Sequence, residues 1–341
     1  MLFVLVANLI FPEAARPDGP ARPAFALRQV VSVKVESSWR NLTSKATVEV
    51  AARYLFQEKA LALKEWLRRG DRISIELGYD QTYHQEFTGY VTDVKPGIPV
   101  TISCEDEMYH LKRYPVKCSY GGVRLLKLLR DICPPGTPID APDTDLGHFK
   151  AANVTVAKVL EKLKEMYGFV SYFRDGTLYC GKVYRDGSTA KKNYFSFQQN
   201  GLGGVLDDQL EYRSQNDLHV IVEATSHQLK GKDLKVTVGD LTELDAEKRT
   251  LQYFNLNSEA DLKVRAQRDV NKLKVEGYKG SFTTYGLPSV RHGELAALAS
   301  SEYPERDGDF FIDATNKTFT SSGYRQEITL GSAATLYGLQ S

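Results

Sequence analysis

The sequence predicts an α+β protein with two strand-rich modules and a smaller ααββ module inserted between them. Three observations carry this. Apolar and polar residues alternate with period two over 31–104 and again beyond about 195. Helical spacing takes over between about 115 and 190. Tyr (19) and Phe (15) are plentiful and Met is scarce (3), which suits residues packed on pleated surfaces. At 341 residues the chain has room for two or three domains of roughly 100–200 residues each.

The N-terminal run Met1-Leu2-Phe3-Val4-Leu5-Val6-Ala7-Asn8-Leu9-Ile10-Phe11 is apolar. It falls short of the ~20 residues that span a bilayer, and no Lys or Arg precedes it as a secretion signal requires. A buried or partner-paired first strand is the expectation. Residues 12–24 hold four prolines and a glycine and read as a loop, because proline cannot donate to a ladder.

Val31, Val33 and Val35 alternate with Ser32, Lys34 and Glu36, and Ala46, Val48 and Val50 alternate with Thr47 and Glu49. Residues 37–43 form the turn between these two strands. Ala60, Leu63, Trp66 and Leu67 predict a helix over 57–69, stopped by Gly70. Strands follow at Ile73–Tyr79, Phe87–Val94 and Val100–Cys104.

A helix is predicted over 122–132 from Leu125, Leu128, Leu129 and Ile132, and another over 155–167, capped by Thr155 and ended by Gly168. Phe169–Phe173 and Leu178–Val183 make a hairpin around Asp175-Gly176. Farther on, Leu218, Val220 and Val222 alternate, with Lys235–Val238 returning through a Gly231-Lys232-Asp233 turn. Ser258-Glu259-Ala260-Asp261 resembles a capping box before a helix with Leu262, Ala266, Val270 and Leu273. Gly280–Tyr285, Phe310–Thr315 and Gln326–Leu330 are the last strands. The expected divisions are 1–24 (first strand and Pro-rich loop), 25–114 (first β module), 115–194 (ααββ insert) and 195–341 (second β module). The two β modules share an order of parts, as a duplication would leave.

Lys+Arg number 44 and Asp+Glu 43, so no global charge draws the chain to nucleic acid or to anionic lipid. Cys104, Cys118, Cys133 and Cys180 form no C-x-x-C pair and read as reduced cysteines of a cytosol-made protein. Glu105-Asp106-Glu107, Asp207-Asp208 and Asp143/Asp145 read as strand-end acids facing water. His84, His110, His148, His219, His227 and His292 are scattered without metal-ligand spacing. The chain has no Gly-x-Ser-x-Gly and no P-loop, and Gly201-Leu202-Gly203-Gly204 reads as a junction. The sequence assigns no catalytic residue, no metal ligand and no cofactor.

Two stretches resemble a known family. Glu86-Phe87-Thr88-Gly89-Tyr90-Val91-Thr92-Asp93-Val94, then Pro99–Asp106 and Leu111-Lys112, are similar to the first tube module of phage tail hub proteins. Gly286-Leu287-Pro288, His292-Gly293-Glu294, Asp307–Ile312 and Gly323–Leu330 look like the close of the second. The families are the late-control D proteins of contractile phages, baseplate hubs, and the N-terminal part of type VI secretion VgrG spikes. VgrG chains continue into an OB-fold and a needle, whereas this sequence stops at Ser341, so the resemblance implies a hub with its spike on another chain.

The resemblance further implies tube-like β-barrel modules and a homotrimer that joins a hexameric tail tube to a trimeric spike. DNA or cargo would pass its channel without sequence-specific binding, in a virion baseplate or injection particle assembled in the bacterial cytoplasm and without stable membrane insertion. Subunit contacts are expected on edge strands, with candidates Val31, Val33, Val35, Phe87, Tyr90 and Val91 in the first module. In the second they are Phe310, Phe311, Ile312, Gln326, Ile328 and Leu330. Two other readings compete: a cell-wall or polysaccharide hydrolase, which needs two carboxylates about 5–10 Å apart, and a carbohydrate-binding adhesion protein with an aromatic platform.

Overall fold

The computed structural model describes residues 4–51, 53–56, 59–184, 190–213, 219–228, 232–243, 246–254, 256, 258–274 and 277–334. Met1–Phe3, Leu218 and Gly231 of the readings above lie outside them. The chain forms two units. Unit 1 comprises Met1–His110, Lys191–Gln209 and Ser281–Gly331; unit 2 comprises Leu111–Ala190, Leu210–Gly280 and Ser332–Ser341.

Unit 1 opens with the antiparallel strands β1 (Leu5–Phe11) and β2 (Phe25–Leu27). Ala7, Leu9 and Phe11 point into the core, and the Phe11 and Phe25 rings stack at 4.7 Å. The Pro-rich loop between them is tied down by charge. Arg16 grips both oxygens of Asp71 at 2.6 and 2.7 Å, and Arg22 lies 3.5 Å from the same carboxylate. Burial opposes the charge on Asp71. Hydrogen bonds from Arg16 and the Arg68 backbone N–H, with the two arginine charges, outweigh it and hold the carboxyl below its ordinary pKa.

β3 (Ser32–Ser38) and β4 (Lys45–Val50) bury their predicted apolar rows. The helix expected over 57–69 is not formed as such. Arg53–Phe56 (β5) and Lys59–Ala62 (β6) pair as a hairpin, and only Leu63–Trp66 (α1) is helical. Leu63 and Leu67 still reach the core. A helix this short has little intrinsic stability, and the preceding segment finds a strand partner instead. β7 (Arg72–Tyr79), β8 (Thr82–Lys95) and β9 (Val100–Glu105) follow as antiparallel neighbours, and α2 (Met108–Leu111) closes the stretch.

In unit 2, β10 (Pro115–Tyr120), α3 (Leu125–Ile132), β11 (Ile139–Asp140), β12 (Phe149–Thr155), α4 (Val156–Tyr167), β13 (Val170–Arg174) and β14 (Thr177–Gly181) succeed one another. Both helices and the β13–β14 hairpin are present, and three strands that were not expected join them: β10 and β12 pair as a ribbon, and β11 lies parallel to β14. Thr155 Oγ1 accepts from the Lys158 N–H and Gly168 ends α4 at φ 68°. The chain then makes β15 (Lys192–Ser196) and β16 (Val205–Arg213).

Unit 2 resumes with β17 (Val220–His227), β18 (Leu234–Gly239), β19 (Glu247–Phe254) and α5 (Glu259–Leu273). Here β17 is the central strand of three, and Leu262, Ala266 and Val270 of α5 cover its buried Val220, Val222 and Ala224. Ser258 caps α5 through the Asp261 N–H. Residues Leu210–Gly280 thus group with Leu111–Ala190.

The last strands are β20 (Gly277–Tyr285), β21 (Leu295–Ala299), β22 (Gly308–Thr320) and β23 (Gly323–Ala333). The main sheet runs β16-β20-β23-β22-β3-β4-β9-β8-β7-β1-β2, with β21 beside β22 and β15 beside β21. Its strand order repeats. The first half reads β3-β4-β9-β8-β7-β1 and the second β16-β20-β23-β22-β21-β15. The halves meet where β22 pairs with β3, from Ala314↔Ser38 to Thr320↔Ser32. Among the described residues the sheet ends at β16 and β2, so it is open and no barrel closes, unlike the barrel modules expected.

Candidate assembly interface

Residues that looked like chemistry serve the fold. Asp106 does not face water: it is buried, and its carboxylate accepts from the Ser44 N–H at 2.8 Å and the Met108 N–H at 3.1 Å. Burial pushes its pKa up to about 7 against those two bonds. His292 is buried with Nδ1 2.8 Å from Ser37 Oγ. Asp208 pairs with Arg306 at 3.2 Å and Asp143 with Arg124 at 2.9 Å. Cys104, Cys118, Cys133 and Cys180 are free thiols, and burial raises Cys104 to about 12. Among the described residues no three His, Cys, Asp or Glu side chains are grouped to hold a metal.

What remains distinctive is the main sheet's surface. The face opposite the core is polar along aligned rows. Thr320, Ser32, Glu49 and Thr101 stand side by side across β22, β3, β4 and β9. Thr318, Lys34, Thr47 and Ser103 form the next row, and Asn316, Glu36, Lys45 and Glu105 the third. Hydroxyls and charges of both signs alternate along this face. The opposite face carries Val33, Val35, Val48, Ile102 and Phe319, all buried. One intruder stands in that apolar row. Lys317, between Thr315 and Phe319, pairs with Glu86 of β8 and donates to Ser289 Oγ at 2.7 Å. Both charged side chains are nearly inaccessible (4% and 1%), so each depends on the other.

Two glycines of the family-like stretches have a steric reason. A Cβ on Gly89 would stand 2.1 Å from the Glu105 carbonyl oxygen. One on Gly286 would stand 2.1 Å from the Tyr324 ring. Glycine lets β8 approach β9 and lets Tyr324 pack flat in the core.

The candidate contact residues fall mostly inside the chain's own core. Val33, Val35, Phe87, Val91, Phe310, Phe311, Ile312, Gln326, Ile328 and Leu330 are buried, Tyr90 is half-buried and Val31 is 50% exposed. β3 is flanked by β4 and β22, and β23 by β20 and β22, so neither offers an open edge. Among the described residues the open edges lie on other segments. One is β16, the end strand, which carries the exposed Leu206 (43%). Another is β2, at the opposite end of the sheet, and a third is the far part of β8: β7 pairs with it only as far as Tyr90, and Gly70 and Asp71 hydrogen-bond Val91. Among the described residues, no strand lies on that side of Thr92–Lys95.

No protein-family model and no curated protein matches the sequence. Solved structures do match. A tail protein from Neisseria meningitidis MC58 has a TM-score of 0.64 at 15% identity, covering 96% of each chain. The 43 kDa tail protein of prophage MuSo2 from Shewanella oneidensis has a TM-score of 0.63 at 13% identity, over 97% of this chain and 99% of that one. An E. coli component of the type VI secretion system, described as structurally similar to T4 bacteriophage tail proteins, has a TM-score of 0.54 at 10% identity and covers 92% of this chain and 76% of that one. Taken with the repeated strand order, these likenesses give the chain the fold of phage tail proteins and type VI secretion VgrG-related proteins.

Proposed function

We propose that the chain is a non-enzymatic structural hub of a contractile tail or related injection system, acting as a ring-shaped homotrimer between a sixfold tail tube and a threefold spike. The observation that carries this is the repeated strand order within one sheet. A repeated module solves a symmetry problem: three chains, each with two equivalent halves, present six similar units to a hexameric tube while keeping threefold symmetry for the spike. In this reading the two half-sheets are the two tube-like modules. The polar face across β22, β3, β4 and β9 supports a channel wall. Interleaved hydroxyls and charges of both signs give a passing polyanion no strong site, since tight phosphate binding needs clustered Lys and Arg. DNA or protein cargo would pass without sequence readout. The particle is a virion baseplate or injection machine, put together in the bacterial cytoplasm.

Light scattering on the purified chain, with negative-stain images of the same peak, tests this. The expected mass is three times 38.2 kDa, with ring-shaped particles. A monomer up to the highest soluble concentration refutes a self-assembling trimer.

A further inference from the structure

We propose that unit 1 makes its own covalent cross-link: the side chains of Lys317 and Glu86 condense to an amide, joining β22 of the second half to β8 of the first. The link needs no second copy and stands apart from the trimer reading.

Four side chains, all of unit 1, converge on the buried face of the sheet. Lys317 Nζ is in direct contact with Glu86 Oε2, and water reaches neither. The Ser289 hydroxyl bridges the same two atoms. It accepts from Lys317 Nζ at 2.7 Å and donates to Glu86 Oε2 at 2.9 Å. Tyr324 is fully buried, and its hydroxyl lies against Glu86: burial first, and the neighbouring carboxylate second, hold its pKa well above the ordinary 10, so it keeps its proton. Glu86 Oε1 and the Tyr324 hydroxyl make no other hydrogen bond among the described residues. An amine, an acyl group, a proton relay and a donor for the acyl oxygen are thus assembled in one dry place. A lysine and a glutamate at a surface do not condense, because water solvates both charges and hydrolyses the product. Here both charges are costly to keep, and the water that would reverse the step is excluded.

The step balances without an oxidant or a second reactant. A proton passes from Nζ to Oε2, leaving a neutral amine and a carboxylic acid. The Nζ lone pair attacks Glu86 Cδ, and the carbonyl electrons move to Oε1, where the Tyr324 hydroxyl donates. Ser289 takes a proton from Nζ and passes its own to Oε2. Oε2 leaves as water. The Nζ–Cδ bond has formed, the Cδ–Oε2 bond has broken, and nothing is oxidised or reduced. Holding the two groups in contact supplies the drive, since well-oriented intramolecular reactions reach effective concentrations on the order of 10⁵–10⁸ M. The product removes both buried charges. Its N–H still donates to Ser289, and its oxygen accepts from Tyr324. Gln326 offers the other buried acyl group nearby: it is 0% exposed, and its Nε2 donates to the carbonyl of Pro288, next to Ser289, at 2.6 Å. A link made there would release ammonia in place of water, so the two acyl groups are distinguishable by mass.

Mass spectrometry of the full chain under denaturing, reducing conditions tests the link on the wild-type protein. The expected intact mass is one water below that of the sequence. Trypsin should then give a branched peptide in which residues 73–112 are joined to residues 307–325, uncut at Lys317. Lys317→Met should show neither. Ser289→Ala, checked for wild-type tryptophan emission, should lower the linked fraction about tenfold or more at an early time after synthesis, because a positioned proton relay contributes about 10²–10⁴-fold. A wild-type mass equal to the sequence, with ordinary peptides ending at Lys317, overturns the link. So does a water lost from an unbranched peptide, as a succinimide at an Asp-Gly step gives. A branched peptide that has lost ammonia overturns Glu86 as the acyl donor and assigns that role to Gln326. An unchanged rate in folded Ser289→Ala overturns the relay.

Discussion

The Glu86–Lys317 pair gives a sharp test of how unit 1 holds its two halves together. Glu86 belongs to β8 and Lys317 to β22, and their side chains are 1% and 4% exposed. Ser289 donates to Glu86 at 2.9 Å and accepts from Lys317 at 2.7 Å. Lys317→Met keeps the shape of the stem and leaves a buried carboxylate with one hydroxyl. Removing one partner of such a pair costs about 3–5 kcal/mol, whereas replacing both by apolar groups is often close to neutral. The double variant Glu86→Leu/Lys317→Met should therefore lie within about 2 kcal/mol of wild type, a strongly non-additive cycle. Trp39 and Trp66 are the chain's two tryptophans and both lie in unit 1, so fluorescence during urea unfolding reports that unit alone. At a urea dependence of about 1–3 kcal/mol/M, the single variant's cost of about 3–5 kcal/mol should lower the midpoint by about 1–5 M. Additive single and double effects, or a single-variant cost under about 1 kcal/mol, would refute the claim that the pair is a mutually dependent buried contact.

Three further outcomes follow from the geometry. The Asp106 carboxyl titrates near pH 7 when folded and near its ordinary value of 3.8 when unfolded, so the folded state holds a proton that the unfolded chain has released. Its contribution is present below about pH 4 and is lost as pH rises through 7; at 1.36 kcal/mol per pH unit, tryptophan-monitored stability should fall by about 2–3 kcal/mol from pH 5 to pH 8, and Asp106→Asn should flatten that slope. Gly286→Ala puts a methyl 2.1 Å from the Tyr324 ring; strain of about 1–3 kcal/mol or more should appear as a lowered urea midpoint in the same fluorescence assay. Thr155→Ala removes the α4 cap and should cost about 1 kcal/mol, read as a lower thermal midpoint by circular dichroism, with no change in the tryptophan signal of unit 1.

The legible parts of the fold were those whose residues state their own environment. Ile73, Ile75, Leu77 and Tyr79 alternate because one face of β7 is core. α4 and α5 announce both stripe and cap, and Thr155 and Ser258 do what their positions imply. The illegible parts depend on partners far away in the chain. Leu295–Ala299 is nearly all buried, so it shows no alternation. β19 reads Glu-Lys-Arg-Thr and becomes a strand because β17 lies parallel beside it. β16 carries paired acids and no period, as an edge strand facing solvent permits. The spacing of Leu63, Trp66 and Leu67 correctly marked core residues and wrongly extended a helix through β6. For the expected subunit contacts, the sequence pointed to the most strand-like residues, such as Val33 and Phe311. Those are the residues most firmly held by the chain itself; open edges are a property of topology, which local pattern does not record.

The β3–β22 junction has a consequence for biosynthesis. Ser32 meets Thr320, so β3 is among the first strands to leave the ribosome and receives its outer neighbour among the last. At about 5–20 residues per second, its open edge waits on the order of 15–60 seconds. During that interval the nascent chain exposes an unfilled strand edge that adjacent nascent chains on one message could occupy in error. Slow loop closure of this kind raises the value of holdases during translation. It also acts as a timer: the first half is not capped by its own second half until translation is nearly finished, so only complete chains have the finished sheet.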